Sequence, residues 1–156
     1  WNITALVVRV LSVLLSLYAL RQATTKNTSD MYLFFISQYA KEDMKLALRK
    51  LKDIKRGVYR LEQWESDMKN NLPKAFEYDE ARRLVKYFYD TLAYMKLEKL
   101  IEARFVRLIC LKKGAWLYLD TVEAMEKFFD SGYDKKPYAV IRDVCENLRK
   151  EGCCPP

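Results

Sequence analysis

The chain has no histidine, only four glycines and no Cys-x-x-C spacing, and each absence excludes a class of functional site. Without histidine, the most common general base near neutral pH is missing, and zinc sites with mixed cysteine and histidine ligands are excluded. The few glycines form neither a phosphate-binding loop nor a nucleophile elbow. An enzyme would need carboxylates, lysine, tyrosine or cysteine with a shifted pKa. The sequence therefore predicts a non-catalytic protein with no cofactor and no metal.

Carboxylates do occur in small groups, but their pattern favours ordinary surface ion pairs. A carboxylate metal site in a helical bundle pairs helices that each supply a glutamate and a histidine, and this chain has no histidine. Acids and bases three or four residues apart on a helix form ion pairs instead. These acids are Asp79, Glu80, Asp120, Glu123 and Glu126, and Asp120, Glu123 and Lys127 lie on one helix face.

The four cysteines fall into two classes. Cys110 and Cys145 lie in apolar helical patterns and are expected to be small buried side chains. Cys153 and Cys154 precede two terminal prolines, which has the form of a lipidated tail. Because that modification needs a specific recognition machinery, a frayed tail is the favoured interpretation.

The first apolar run, residues 3–20, predicts a transmembrane helix near the lower limit of the required length. Trp1 and Tyr18 stand where aromatic rings settle at the headgroups, and Arg21 and Lys26 form a basic flank. A cleavable signal peptide is the main alternative; it would need a basic segment before the run and a cleavage site after it, and Trp1 and Asn2 are not basic. A helix lying in the interface is a third interpretation, but the apolar residues surround the helix.

One charged residue, Arg9, interrupts this run. Its long side chain could extend to the headgroups, which is the simpler interpretation. Alternatively Arg9, Ser12 and Ser16, spaced three and four apart on one face, contact a partner helix in a larger membrane complex.

Basic residues predict the kind of partner and, where they flank the span, the orientation. Lys and Arg number 28 against 21 Asp and Glu, which gives a net charge of +7 and suits an anionic partner. Since basic residues near a span stay inside, the N-terminus is expected outside and the C-terminal domain in the cytoplasm. The predicted divisions are an anchor with its basic flank (1–26), a helical cytosolic domain (27–150) and a tail (151–156).

The remainder predicts an all-α protein, with the anchor followed by a compact bundle of about five to six amphipathic helices. Asn27, Thr28, Ser29 and Asp30 offer caps before a short aromatic helix. A basic helix follows over 41–61, bent at Gly57, and Pro73 breaks the chain before a helix that opens at Tyr78. Its period is expected to continue through Ile109 to a break at Gly114. Pro137 opens the final helix.

The basic helix carries a stripe opposite its apolar side. A charged face is what any surface helix presents, so solvation is the favoured interpretation. The alternative is contact with anionic headgroups or with another anionic ligand, including nucleic acid. The stripe consists of Lys41, Lys45, Arg49, Lys52 and Arg56.

Basic and aromatic residues also alternate after Pro73. Such a pattern can bind nucleic acid by stacking and phosphate contact. Phe88 falls on the expected buried side, however, and leaves Tyr87 and Tyr94 outside, which equally predicts a protein interface. Nucleic acid is the less favoured partner for a protein held at a membrane.

The segments of the chain follow one another in the order of a short span, a basic helix, RRLVKYFYDTLAYM, KLIEARFVRLI and a tryptophan-containing helix. In this order of segments, the chain resembles uncharacterised bacterial single-span membrane proteins with a small helical cytosolic domain. The resemblance implies an anchor and an all-helical domain, and it implies no activity. The favoured function is a membrane-anchored accessory or scaffold subunit, with membrane lipid and other membrane-protein subunits as partners. The alternative is a membrane-tethered sensor or binder of an anionic ligand.

Overall fold

The computed structural model describes residues 3–129 and 133–153, and within the first helix the side chains of residues 14–19, 22, 23 and 26 onward. These residues form eight α-helices, a π-helical turn and no strand, so the predicted all-α class is confirmed. The helices are α1 (Ile3–Ala40), α2 (Glu42–Lys55), α3 (Leu61–Lys69), α4 (Pro73–Leu97), α5 (Ala103–Cys110), α6 (Lys113–Leu117), α7 (Glu123–Phe129) and α8 (Lys135–Lys150), and the turn Tyr118–Val122 joins α6 to α7.

The first helix continues without interruption to Ala40. The expected helix start at Asn27–Asp30 is therefore wrong. Thr28 lies inside the helix, is buried, and its Oγ1 donates a hydrogen bond to Glu102 Oε1 at 2.9 Å. A threonine caps a helix only where the backbone leaves helical geometry, and here packing on the domain keeps the backbone helical.

Among the described residues, no helix combines the length and the apolar content that crossing a membrane requires. The predicted span, residues 3–20, lies largely outside the residues whose side chains are described, and so do Arg9 and Ser12.

The central helix is α4, which packs against α2, α3, α5 and α8. It begins at Pro73 rather than at Tyr78, because proline is compatible with the first turn of a helix. The inner positions of α4 follow the helical period, and Val85, Tyr89 and Leu92 are completely buried.

Four helices end in the same way, with one residue in the left-handed conformation. In α2 this residue is Gly57, at φ 73°, and the next amide, that of Val58, donates to Asp53 O at 2.9 Å. The expected bend at Gly57 is thus a helix end, and Val58, which follows it, is exposed. Asn71 and Gly152 end α3 and α8 in this way. The fourth residue is Lys99, at φ 57°, after α4.

Because of these helix ends, the domain contains more and shorter helices than expected. The described residues hold seven helices after α1 instead of five or six, because α4 ends at Leu97 and α5 begins anew at Ala103. Gly114 lies inside α6 rather than at a break. The helical prediction for α5 is confirmed, as are Pro137 in the first turn of α8 and the burial of Cys110 and Cys145. Apolar spacing along the helices also places Leu84, Leu97, Leu100, Leu108 and Phe129 on inner sides, but these side chains are exposed.

Candidate functional site

Two grooves lie on opposite sides of α2, and we refer to them as the aromatic groove and the basic cleft. The aromatic groove, about 260 Å³ in volume, lies between α1, α2 and α4. Its walls are formed by Phe34, Phe35, Gln38, Lys41, Asp43, Met44, Leu84, Tyr87, Phe88 and Thr91.

The aromatic groove has exposed rings above a rigid floor. Tyr87 is 75% exposed and Phe34 is 55% exposed, whereas Phe35 and Phe88 beneath them are buried. The rings of Phe35 and Phe88 meet edge to face at 5.3 Å. Because this pair is fixed by the core, the groove keeps its shape while Tyr87 and Phe34 offer apolar surface to a partner.

One end of the aromatic groove is acidic. It continues along α4 into a shallower depression that shares Asp43 and Leu84 and adds Glu77 and Glu80. Glu77 is paired with Lys50 Nζ at 3.0 Å. Asp43 and Glu80 have no ion pair among the described residues, so this end favours a cation on an incoming partner.

The basic cleft lies between α2 and α6 and has a volume of about 390 Å³. A second depression of about 380 Å³ adjoins it and shares Lys52, Lys113 and Leu117. Together they are bordered by Tyr39, Lys45, Leu48, Arg49, Lys52, Lys55, Arg56, Lys113, Gly114, Trp116 and Leu117.

Only part of the positive charge in the cleft is neutralised. Lys45 pairs with Glu42, and Lys55 pairs with Asp120, each at 2.6 Å. Arg49, Lys52, Arg56 and Lys113 have no ion pair among the described residues. Like charges held on two walls of a cleft raise the local concentration of anions.

The wall of the cleft formed by α6 depends on Gly114. Its backbone N–H donates to Tyr39 Oη at 3.2 Å. A Cβ at Gly114 would lie 2.8 Å from Tyr89 Oη and 3.1 Å from Leu48 Cδ2, so only glycine allows α6 to approach this closely. Trp116, two residues on, lines the cleft, and its buried Nε1 has no hydrogen-bond partner among the described residues.

The structure distributes the predicted basic stripe over both grooves. Lys45, Arg49, Lys52 and Arg56 line the basic cleft, but Lys41 lines the aromatic groove. Reasoning from sequence missed Lys55, Lys113 and Trp116. Lys113 and Trp116 lie on another helix, and nothing in the local pattern indicates that α6 packs beside α2.

The two predicted interface tyrosines are not brought together. Tyr87 lines the aromatic groove, whereas Tyr94 lies two turns further along α4 and donates to Asp134 Oδ2. That hydrogen bond raises the pKa of Tyr94. Of the predicted membrane contacts, Ser16 is exposed, and Arg9 and Ser12 lie outside the described side chains.

A buried ion network joins α4 to α7. Arg82 is 7% exposed; its Nε lies 2.8 Å from Asp79 Oδ1, and its Nη1 contacts Glu126. Asp79 and Glu126 are buried as well, and so is Glu123, which contacts Arg142 and Tyr133. The expectation of ordinary surface ion pairs is therefore wrong for these three acids, because Asp79 and Glu126 are enclosed around Arg82 and Glu123 is enclosed beside Arg142 and Tyr133. Asp120 does form a surface pair.

A column of buried tyrosines lies beside this network. Tyr118 stacks on Tyr89 at 5.1 Å and on Tyr138 at 4.5 Å. Burial raises the pKa of all three phenols. Tyr118 also donates to Asp90, so its hydroxyl is protonated and engaged at neutral pH. This arrangement orders α4, α8 and the π-helical turn rather than presenting a reactive group.

The two buried thiols, Cys110 and Cys145, lie side by side between α5 and α8. A hydrogen bond to Cys145, together with burial, raises the pKa of Cys110. The described residues contain no cluster of three or more acids or thiols suited to a metal ion.

Comparison of the chain with protein-family models, with curated proteins and with solved structures found no match. The resemblance to bacterial single-span proteins therefore stays a prediction.

Proposed function

We propose that this protein is a membrane-anchored, non-catalytic accessory or scaffold subunit whose aromatic groove receives an amphipathic helix of a partner subunit. The observation that carries the proposal is the pairing of exposed Tyr87 and Phe34 with a rigid aromatic floor. Aromatic side chains above a well-packed floor are the usual anchors of protein interfaces.

The dimensions of the groove support a helix as its occupant. Glu77, Glu80, Leu84 and Tyr87 follow one another at spacings of three and four along α4. They cover about 15 Å, which matches about three turns of an incoming helix. Apolar residues on that helix would meet Tyr87 and Leu84, and a lysine or arginine at its end would meet Asp43 and Glu80.

The N-terminal part of α1 supports an anchor. Leu14, Leu15, Leu17 and Tyr18 are all more than half exposed. At 100° per residue they spread over an arc of about 160° of the helix, and exposed apolar surface of this width suits a lipid environment. With Arg21 and Lys26 after the run, the proposed orientation has the N-terminus outside and the domain in the cytoplasm. Arg9, Ser12 and Ser16 would face a helix of the same partner complex.

The interface is tested by photo-crosslinking the full chain in its native membranes, with Tyr87→p-benzoylphenylalanine. We expect one light-dependent adduct, whose cross-linked peptide belongs to an amphipathic helix with a basic residue at one end. The same replacement at Tyr94, outside the groove, is the matched control and should give no such adduct. An adduct with a second copy of this chain, or no adduct, would overturn the proposal.

The anchor is tested separately by alkaline carbonate extraction of the same membranes. The full chain should stay in the pellet, and its release into the supernatant would rule out a span. Arg9→Leu should leave the protein in the pellet and weaken the Tyr87 adduct, because a partner's polar group would lose its counter-charge. An unchanged adduct would mean that Arg9 does not contact the partner.

A further inference from the structure

The basic cleft has two charged walls and an apolar floor. Lys52 and Arg56 come from α2, and Lys113 faces them from α6, while Leu117 and Trp116 contribute apolar surface. These three cations form no ion pair among the described residues, whereas Lys55 beside them is paired with Asp120, so the cleft keeps an excess of positive charge that is unfavourable for the isolated protein. The arrangement becomes favourable when a ligand with more than one negative charge enters.

The position of the cleft separates it from the proposed membrane surface. Tyr39, at the end of α1, borders the cleft and lies about 28 Å along the helix axis from residue 20. Electrostatic attraction at physiological ionic strength is largely screened beyond about 8 Å. Even a tilted helix leaves the cleft well beyond the headgroups, so a soluble anion is favoured over lipid. The preference for a soluble anion over lipid rests on the proposed anchor, whereas the existence of the cleft does not.

The floor identifies the uncharged part of the ligand. Trp116 lines the cleft with its aromatic ring. Tryptophan stacks on planar rings. The volume of about 390 Å³ lies within the range of small-molecule sites.

We propose that the basic cleft binds a soluble phosphorylated compound with a planar aromatic body, of the nucleotide class. The phosphates contact Lys52, Arg56 and Lys113, and the ring lies against Trp116. This site goes beyond the partner-binding function, because it lies on the opposite side of α2 from the aromatic groove.

The test uses the full chain in nanodiscs of zwitterionic lipid, titrated with adenosine triphosphate by calorimetry. We expect saturable binding that weakens as salt is raised. Lys113→Gln and Lys52→Gln should each weaken binding by at least about tenfold, as for the loss of a charged hydrogen bond. Lys150→Gln, at an exposed lysine on α8, is the control and should leave binding unchanged.

Three further titrations separate the sources of phosphate. Pyrophosphate should bind more weakly than adenosine triphosphate, and Trp116→Phe should lower only the affinity for the nucleotide. Binding of anionic vesicles or of a single-stranded oligonucleotide without binding of the nucleotide would overturn the proposal. Absence of any saturable binding would overturn it too. Neither result bears on carbonate extraction or on the Tyr87 adduct, so failure of this site is distinguishable from failure of the partner-binding function.

Discussion

The aromatic groove and the basic cleft flank the same 14-residue helix, α2, and differ in almost every physical property. The side of α2 with Asp43, Met44 and Ala47 meets the rings of α1 and α4, and the other side presents Arg49, Lys52 and Arg56. Binding in the aromatic groove would remove apolar surface from water, and salt would affect it little. Binding in the basic cleft would depend on charge and would weaken with salt. One helix can therefore support two independent binding surfaces.

The largest expected effect is a loss of stability in the ion network of Arg82, on which both binding surfaces depend. Arg82→Met leaves Asp79 and Glu126 buried with less compensation, and losing one member of a buried ion network typically costs about 3–5 kcal/mol. We expect the low end of that range, because Arg83 still contacts Asp79. Chemical denaturation followed by circular dichroism would measure the loss, and both surfaces should fail together.

Arg83→Met is the matched control for the Arg82 variant. Arg83 is 69% exposed and pairs with the same Asp79, so its loss should cost no more than about 1 kcal/mol. Equal effects of the two variants would show that burial of Arg82 contributes nothing special.

An intermediate effect should fall on the cleft alone. Gly114→Ala places a Cβ against Tyr89 Oη and Leu48 Cδ2, and overpacking of this kind costs about 1–3 kcal/mol. Displacement of α6 should also weaken nucleotide binding, while the Tyr87 adduct persists. Adding Tyr89→Phe, which removes the nearest atom, should recover part of the stability. A Gly114→Ala protein with unchanged stability and unchanged affinity would contradict the close approach.

The smallest expected effect is a change in stability that alters neither binding surface. Lys99 holds a left-handed conformation that costs a residue with a Cβ about 1–2 kcal/mol. Lys99→Gly should therefore raise the free energy of unfolding by up to about 1 kcal/mol, after allowance for the flexibility of glycine in the unfolded chain. Lys96→Gly, within α4, should lower it by about the same amount. If thermal unfolding showed that both variants change stability in the same direction, this explanation would be disproved.

The sequence was sufficient for the helical class, because apolar spacing alone identifies the inner sides of α2, α4 and α8. It was less informative about helix ends. A left-handed Lys99 and a glycine inside α6 run against the usual preferences, and packing decides both. The charged face of α2 could be read from spacing, whereas the meeting of that face with Lys113 and Trp116 could not. Contacts between residues far apart in sequence are set by the tertiary fold.

The continuity of α1 has a mechanical consequence. Four of its residues, Thr28, Tyr32, Phe35 and Tyr39, hold the helix against the domain through Glu102, Phe105, Phe88 and Gly114. The spacings of four, three and four place all four on one side of the helix, so α1 cannot rotate about its axis without breaking each contact. Torque applied to the N-terminal part of α1 would therefore turn the whole domain. Rotation of the N-terminal part of α1 would therefore change the direction that both grooves face.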